Sequence, residues 1–145
     1  MKKGIFIVLE GPDKSGKSTQ ARLLARHFKK KKVPVVHTRE PGGTSFAEAI
    51  RRILLSPKHK VDPIAELLLY EAARAQHTRD KLLPAVQDGK VVISERYTLA
   101  TLAYQGFARG LPLAVVRRLN DIASYGTKAD LTVVKNRLSR IAFRD

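Results

Sequence analysis

Between Gly11 and Thr19 the chain reads GPDKSGKST, and Gly11, Gly16, Lys17 and Ser18 fit the pattern G-x-x-x-x-G-K-[ST]. Glycines there let backbone N–H groups converge on an anion, and a helix starting at the loop adds its positive end. A lysine in that place reaches the β- and γ-phosphates of a nucleotide, and the hydroxyl after it ligates Mg²⁺. Lys14, inside the loop, is open to two readings: a cation resting on the transferring phosphoryl group, or a solvent-facing lysine. A second candidate is Glu95 in VVISERY. A carboxylate ending a buried parallel strand lies beside such a loop and holds Mg²⁺ directly or through water, while Arg96 suits another phosphate. Tyr70 and Arg74 stand one helical turn apart, so a ring and a donor fork share one face. His27, His37, His59 and His77 show no metal-ligand spacing and read as surface or packing residues.

These groups need a scaffold, and the sequence alternates the elements of one. Ile5–Leu9 is a short apolar run that predicts a buried strand, and Ser18–Lys30 carries Ala21, Leu24, Ala25 and Phe28 at helical spacing. Val33–His37 predicts a second strand with Pro34 near its start. Arg39–Ser45 is loop, Phe46–Leu55 helix, and Ile64–Gln87 helix broken near Pro84. After a turn at Asp88–Lys90 come a buried strand over Val91–Ser94, helices over Leu99–Gly106 and Leu113–Tyr125, and a fourth strand over Leu131–Val134. Such alternation predicts an α/β fold with a parallel sheet wrapped by helices, in a single domain.

Composition narrows the classes further. The 145 residues are 43% hydrophobic, enough to bury a core, yet no run approaches the ~18–20 apolar residues of a membrane span. The short apolar run after Met-Lys-Lys is not expected to be a cleavable leader, and the absence of cysteine excludes a disulfide frame and thiolate chemistry within these residues. A cytoplasmic enzyme is the expectation. The net charge of +15 attracts polyanions without choosing among nucleic acid, anionic membrane and phosphorylated metabolites. The run Lys29–Lys32 falls at the end of the first helix, where the helix dipole favours solvated cations. A nucleic-acid-stimulated ATPase would leave REPGGT, Arg74 and AYQG without a purpose, so neither nucleic acid nor membrane is expected as a partner.

GPDKSGKSTQ, TREPGGT, ERY and AYQG, in this order and at these distances, resemble the bacterial thymidylate kinases, a family of P-loop nucleoside monophosphate kinases. The resemblance runs from about Ile5 to Val134. It implies transfer of the γ-phosphoryl group of Mg·ATP to dTMP, giving dTDP and ADP for dTTP biosynthesis. It also implies a three-layer P-loop kinase fold with a five-stranded parallel sheet, Mg²⁺ as cofactor, and a homodimer. By the same resemblance Gly11, Asp13, Lys14, Ser15, Gly16, Lys17, Ser18 and Thr19 bind ATP, with Ser18 and Glu95 holding the metal. Asp13 approaches the 3′-hydroxyl of the dTMP sugar, and Arg51 and Arg96 hold the dTMP phosphate. Tyr70 stacks on thymine, Arg74 donates to its O4, and Thr101 and Gln105 line the base pocket. Tyr104 excludes a ribose 2′-hydroxyl or packs nearby, and Glu40 sits in the loop closing over the acceptor. Lys17, Arg96, Lys14 and the lid residue Arg137 form the catalytic set.

Three departures stand out. Glu95 occupies a position where the family commonly has Asp, and Lys14 one where many bacterial members have Gly. After Val134 the chain passes at once into KNRLSRIAFRD, which resembles the family's lid. The expectation is that a strand end and a crossover helix of about fifteen residues are absent between Val134 and Lys135. Further helices and a strand are expected beyond Asp145, in a kinase of about 200 residues.

Overall fold

The computed structural model of the chain describes residues 3–136. Its centre is strand β1 (Ile5–Glu10), whose alternate side chains enter two different cores, as the pleat requires. Phe6 and Val8 pack with Leu82, Ala85, Val86, Val92 and Tyr97 on one face of the sheet. Ile7 and Leu9 pack with Ala21, Ala25, Val91 and Ile93 on the other. A strand covered on both sides is apolar throughout, which is why IFIVL shows no polar alternation. The chain then enters helix α1 (Lys17–Lys30), which buries Ala21 and Ala25 against the second core.

Strand β2 (Val35–Arg39) starts two residues later than the sequence predicts. Pro34 has no N–H for a ladder and stays outside, although its carbonyl still accepts from Val91 N at 2.9 Å. Helix α2 (Ser45–Leu54) is capped by the Thr44 hydroxyl, and helix α3 (Pro63–His77) by the Asp62 carboxylate. The break predicted near Pro84 takes another form. The helix runs on as a π-helical turn over Thr78–Leu82 into α4 (Leu83–Gln87), with Pro84 placed where the wider turn gives way to α-helix. Strand β3 (Val91–Glu95) leads into α5 (Thr98–Thr101), continued as a π-helical stretch over Leu102–Ala108, then α6 (Leu113–Ala123) and β4 (Leu131–Val134).

The four strands described are all parallel, in the order β2-β3-β1-β4. Leu9 stands opposite Glu95 and Glu10 opposite Val134, so the carboxyl ends of β1, β3 and β4 lie level. In an open α/β sheet the crevice outside those ends binds ligands. The chain runs from β1 toward one edge and returns to β4 on the other side of it, so that crevice opens beside Glu10 and Glu95.

Candidate active site

The loop from Gly11 to Gly16 sits directly above β1. Gly16 occupies the N-cap of α1 with φ 89°, and no side chain caps that helix, unlike α2 and α3. Its first N–H groups therefore lack the side-chain partner that such ends usually acquire. Ser15 Oγ is buried in the loop with no hydrogen-bond partner. Gly11 has φ 137°, and a Cβ there would lie 2.1 Å from the Lys135 carbonyl oxygen, so glycine alone fits. Lys14, at φ 60°, is exposed. Lys17 is only 7% exposed, and its Nζ donates to the Pro12 carbonyl at 2.7 Å. Burial, and then the neighbouring Arg96 charge, hold its pKa below the usual lysine value.

Ser18 Oγ donates to Glu95 Oε2 at 2.5 Å, and His37 Nε2 lies 2.8 Å from the other oxygen of that carboxylate. The hydrogen bond from His37 is the largest cause holding the Glu95 pKa below the ordinary range, and Ser18 and Lys17 act in the same direction. A hydroxyl and an ionised carboxylate are the hard oxygen donors Mg²⁺ prefers. Among the described residues no group of three or more His, Cys, Asp or Glu side chains could hold a metal. Mg²⁺ bound at Ser18 and Glu95 would complete its shell with phosphate oxygens and water, its usual habit. The orphaned Ser15 hydroxyl, the uncapped helix and this donor pair fit a metal-bound polyphosphate.

A cleft of about 240 Å³ opens beside the loop. Asp13, Arg51 and Arg96 stand along its wall, as do Tyr70, Thr101, Tyr104 and Gln105, all seven singled out by the sequence. Arg96 has φ 71°, in the left-handed region that a side chain rarely adopts, so the backbone holds it under strain. Its Nη2 donates to Asp13 Oδ1 at 2.7 Å, and its guanidinium carbon lies 5.1 Å from the Tyr104 ring centroid. Arg51 is anchored by Nη1 donating to the Pro41 carbonyl at 2.9 Å. Pro41 follows Glu40 through a cis peptide bond. The Gly43 of TREPGGT has its own reason: a Cβ there would lie 2.5 Å from Thr38 Oγ1 and 2.6 Å from a carbon of the His77 ring.

Two further expected residues, Arg74 and Glu40, line the cleft and are also bound within the protein. Arg74 has five N–H donors, and all are engaged within the protein. Its Nε donates to Glu40 at 2.8 Å and its Nη1 to Glu71 at 2.9 Å and to Asn120. Its Nη2 donates to the Tyr97 carbonyl at 3.0 Å and to Thr101 Oγ1 at 2.9 Å. The donors expected for a base oxygen thus also pair with Glu40 and Glu71, two buried carboxylates, of which Glu40 is held by His77 as well. What Arg74 leaves to the cleft is the Thr101 hydroxyl, whose own proton is free to donate. Glu40 lines the cleft and is 5% exposed, with His77 Nδ1 at 2.9 Å on its other oxygen. Burial raises the Glu40 pKa, but Arg74 and His77 outweigh it and the net shift is downward. Glu71, whose largest influence is burial with Arg74 alone opposing it, is shifted upward. Arg137 lies outside the described residues.

Several residues of the site escaped the sequence. Glu10 accepts from Tyr97 N at 2.8 Å and from Ala100 N at 3.3 Å, fixing the start of α5 and with it Thr101. His37 is no mere packing residue, since it grips Glu95, and His77 joins Glu40 to Thr38 in the floor. Their partners lie between 37 and 90 positions away in sequence, so no local pattern reveals them.

The family model for thymidylate kinase matches residues 9–144. A thymidylate kinase of Pelotomaculum thermopropionicum is 50% identical over 133 residues, which are 91% of this chain and 62% of that protein. One of Carboxydothermus hydrogenoformans is 46% identical over 132 residues, 91% of this chain and 65% of that protein. This chain thus spans somewhat less than two thirds of the length of these relatives. The crystal structure of thymidylate kinase from Ehrlichia chaffeensis superposes with a TM-score of 0.87 at 35% identity, covering 93% of this chain and 76% of that one.

Proposed function

This chain belongs to the thymidylate kinase family, and on that premise we propose that it transfers the γ-phosphoryl group of ATP to dTMP, giving dTDP and ADP. The observation that carries the proposal is the adjacency of two anion sites. An uncapped helix end with Lys17 and Ser18 lies next to a cleft holding Arg51, Arg96 and an aromatic ring. A phosphate oxygen of the acceptor attacks the γ-phosphorus in line, with no covalent enzyme intermediate and no general base, because that oxygen is already anionic near neutral pH. The loop N–H groups and Lys17 hold the donor phosphates, Arg51 and Arg96 orient the acceptor phosphate, and Tyr70 offers its ring to the base. On substrate entry Lys17 exchanges the Pro12 carbonyl, and Arg96 the Asp13 carboxylate, for phosphate oxygens. Asp13, released from Arg96, is then available to the sugar hydroxyl.

Ser18 and Glu95 would hold Mg²⁺, which would supply charge neutralisation to the donor phosphates. Lys14 and Arg137 belong to the proposed catalytic set as further cations on the transferring group, with Arg137 on a lid that excludes water. The enzyme is proposed to work in the cytoplasm as a homodimer on ATP and dTMP, without nucleic acid or membrane. Among the described residues no helix is long and apolar enough to cross a membrane. ADP release that depends on both Mg·ATP and dTMP tests the reaction. The proposed crossover between Val134 and Lys135 is tested by the intact mass of the natural protein. A value above 16.2 kDa supports it, and a value of 16.2 kDa refutes it.

A further inference from the structure

One wall of the cleft is built in a way that the reaction itself does not require. Gln105 is 3% exposed, and its Nε2 donates to Glu66 Oε1 at 2.7 Å. Arg109 holds the same carboxylate, with Nη2 at 2.8 Å from Oε2 and Nε at 3.3 Å from Oε1. Gln105 lines the cleft, whereas Glu66 and Arg109 do not, and the hydrogen bonds that tie them to its wall run through Gln105. An ionised carboxylate can only accept hydrogen bonds. Burial raises the Glu66 pKa, but the bonds from Arg109 and Gln105 outweigh it, and the group stays ionised at neutral pH. Turning the Gln105 amide over would set its oxygen 2.7 Å from a carboxylate oxygen, two acceptors face to face. The –NH₂ is therefore committed to Glu66, and the carbonyl end is left for the cleft.

Resting on the kinase reading above, we propose that Glu66 and Arg109 are positioning residues that lock the Gln105 amide, so that its Oε1 accepts from the imide N–H of a pyrimidine base. Thymine and uracil carry a donor at that ring nitrogen, whereas cytosine carries a lone pair there. A fixed acceptor attracts the first two and repels the third, which sharpens discrimination beyond what shape supplies. The placement suits a base stacked on Tyr70, since Tyr70 stands one turn after Glu66 on the same face of α3. Thr101, with its oxygen taken by Arg74, contributes a donor beside this acceptor.

The test is calorimetric titration of dTMP and dCMP, without ATP, into the full chain and its variants Glu66→Gln and Arg109→Met. Glu66→Gln keeps the shape but supplies both a donor and an acceptor, so Gln105 is free to turn over. The expected result is opposite movement: dTMP binding weakens, dCMP binding strengthens, and their affinity ratio contracts about tenfold. Arg109→Met, whose side chain lies outside the cleft, contracts the ratio in the same sense by less. Equal weakening of both nucleotides, or an unchanged ratio in both variants, overturns the proposal, as does a natural chain that binds the two equally. Failure of the kinase reading looks different, since it would leave this binding preference in place with no dTMP-dependent ADP release.

Discussion

Replacing Arg74 by Met keeps the bulk of the side chain and removes the guanidinium on which the floor of the cleft is assembled. Arg74 is 3% exposed, and its carboxylate partners Glu40 and Glu71 are 5% and 6% exposed. Removing one partner of such a buried pair costs about 3–5 kcal/mol, because the remaining charge keeps its desolvation penalty without compensation. For a domain of this size about 3 °C of melting temperature goes with each kcal/mol, so a drop of roughly 9–15 °C is expected. The sign of the pH dependence is fixed as well. In the native protein Glu40 titrates below its ordinary value of 4.5, so its contribution is present above that value and is lost as pH falls through the folded pKa. Glu71 is raised above 4.5 by burial, and its ionisation opposes folding as pH rises through that interval. Without Arg74, Glu71 loses the charge that opposes its burial and Glu40 keeps His77 alone, so protonation relieves the variant more than the natural chain. Urea denaturation followed by far-UV circular dichroism at pH 7.5 and pH 5 is the assay, and the loss is expected to be larger at pH 7.5. A loss below about 1 kcal/mol, or equal losses at the two pH values, would refute the view that Arg74 is the counter-charge of the floor.

Lys17→Met is expected to lower kcat by at least about 100-fold in steady-state ADP release while the circular dichroism spectrum stays native, as for loss of a donor aimed at developing charge. Tyr70→Ala removes the ring proposed to stack on the base, and calorimetry is expected to find dTMP binding weakened by about 10- to 100-fold. In the natural chain Glu40, Glu48, Glu66 and Glu95 all titrate below 4.5, so stability by urea denaturation is expected to decline as pH falls below that value.

Much of this was open to sequence reading because the local physics is strong. IFIVL had to be a strand buried on both faces, and GPDKSGKST cannot bury its polar atoms without an anion, so β1, the loop and α1 follow in order. The strand Leu131–Val134 was located to the residue. The π-helical turns were not foreseen, because an extra residue in a helical turn leaves the apolar spacing around it nearly unchanged. The internal contacts of Arg74 are hidden for another reason. A helical arginine next to an aromatic ring looks like a ligand contact, and the partners that occupy its donors come from a loop, its own helix, α5 and α6. The lock on Gln105 was equally hidden, since Glu66 and Gln105 are 39 positions apart. Local pattern points to the phosphate-type loop, while the wall of the cleft beside it depends on contacts only the fold brings together.

The central claim is that the two anion sites act on one another across a shared wall, and ADP release from Mg·ATP measured with dTMP, dUMP, dCMP, dGMP, AMP and no acceptor tests it most directly. Strong stimulation by dTMP, weaker by dUMP and little by the others is the expected result. Release from folded protein that is indifferent to every acceptor would contradict it.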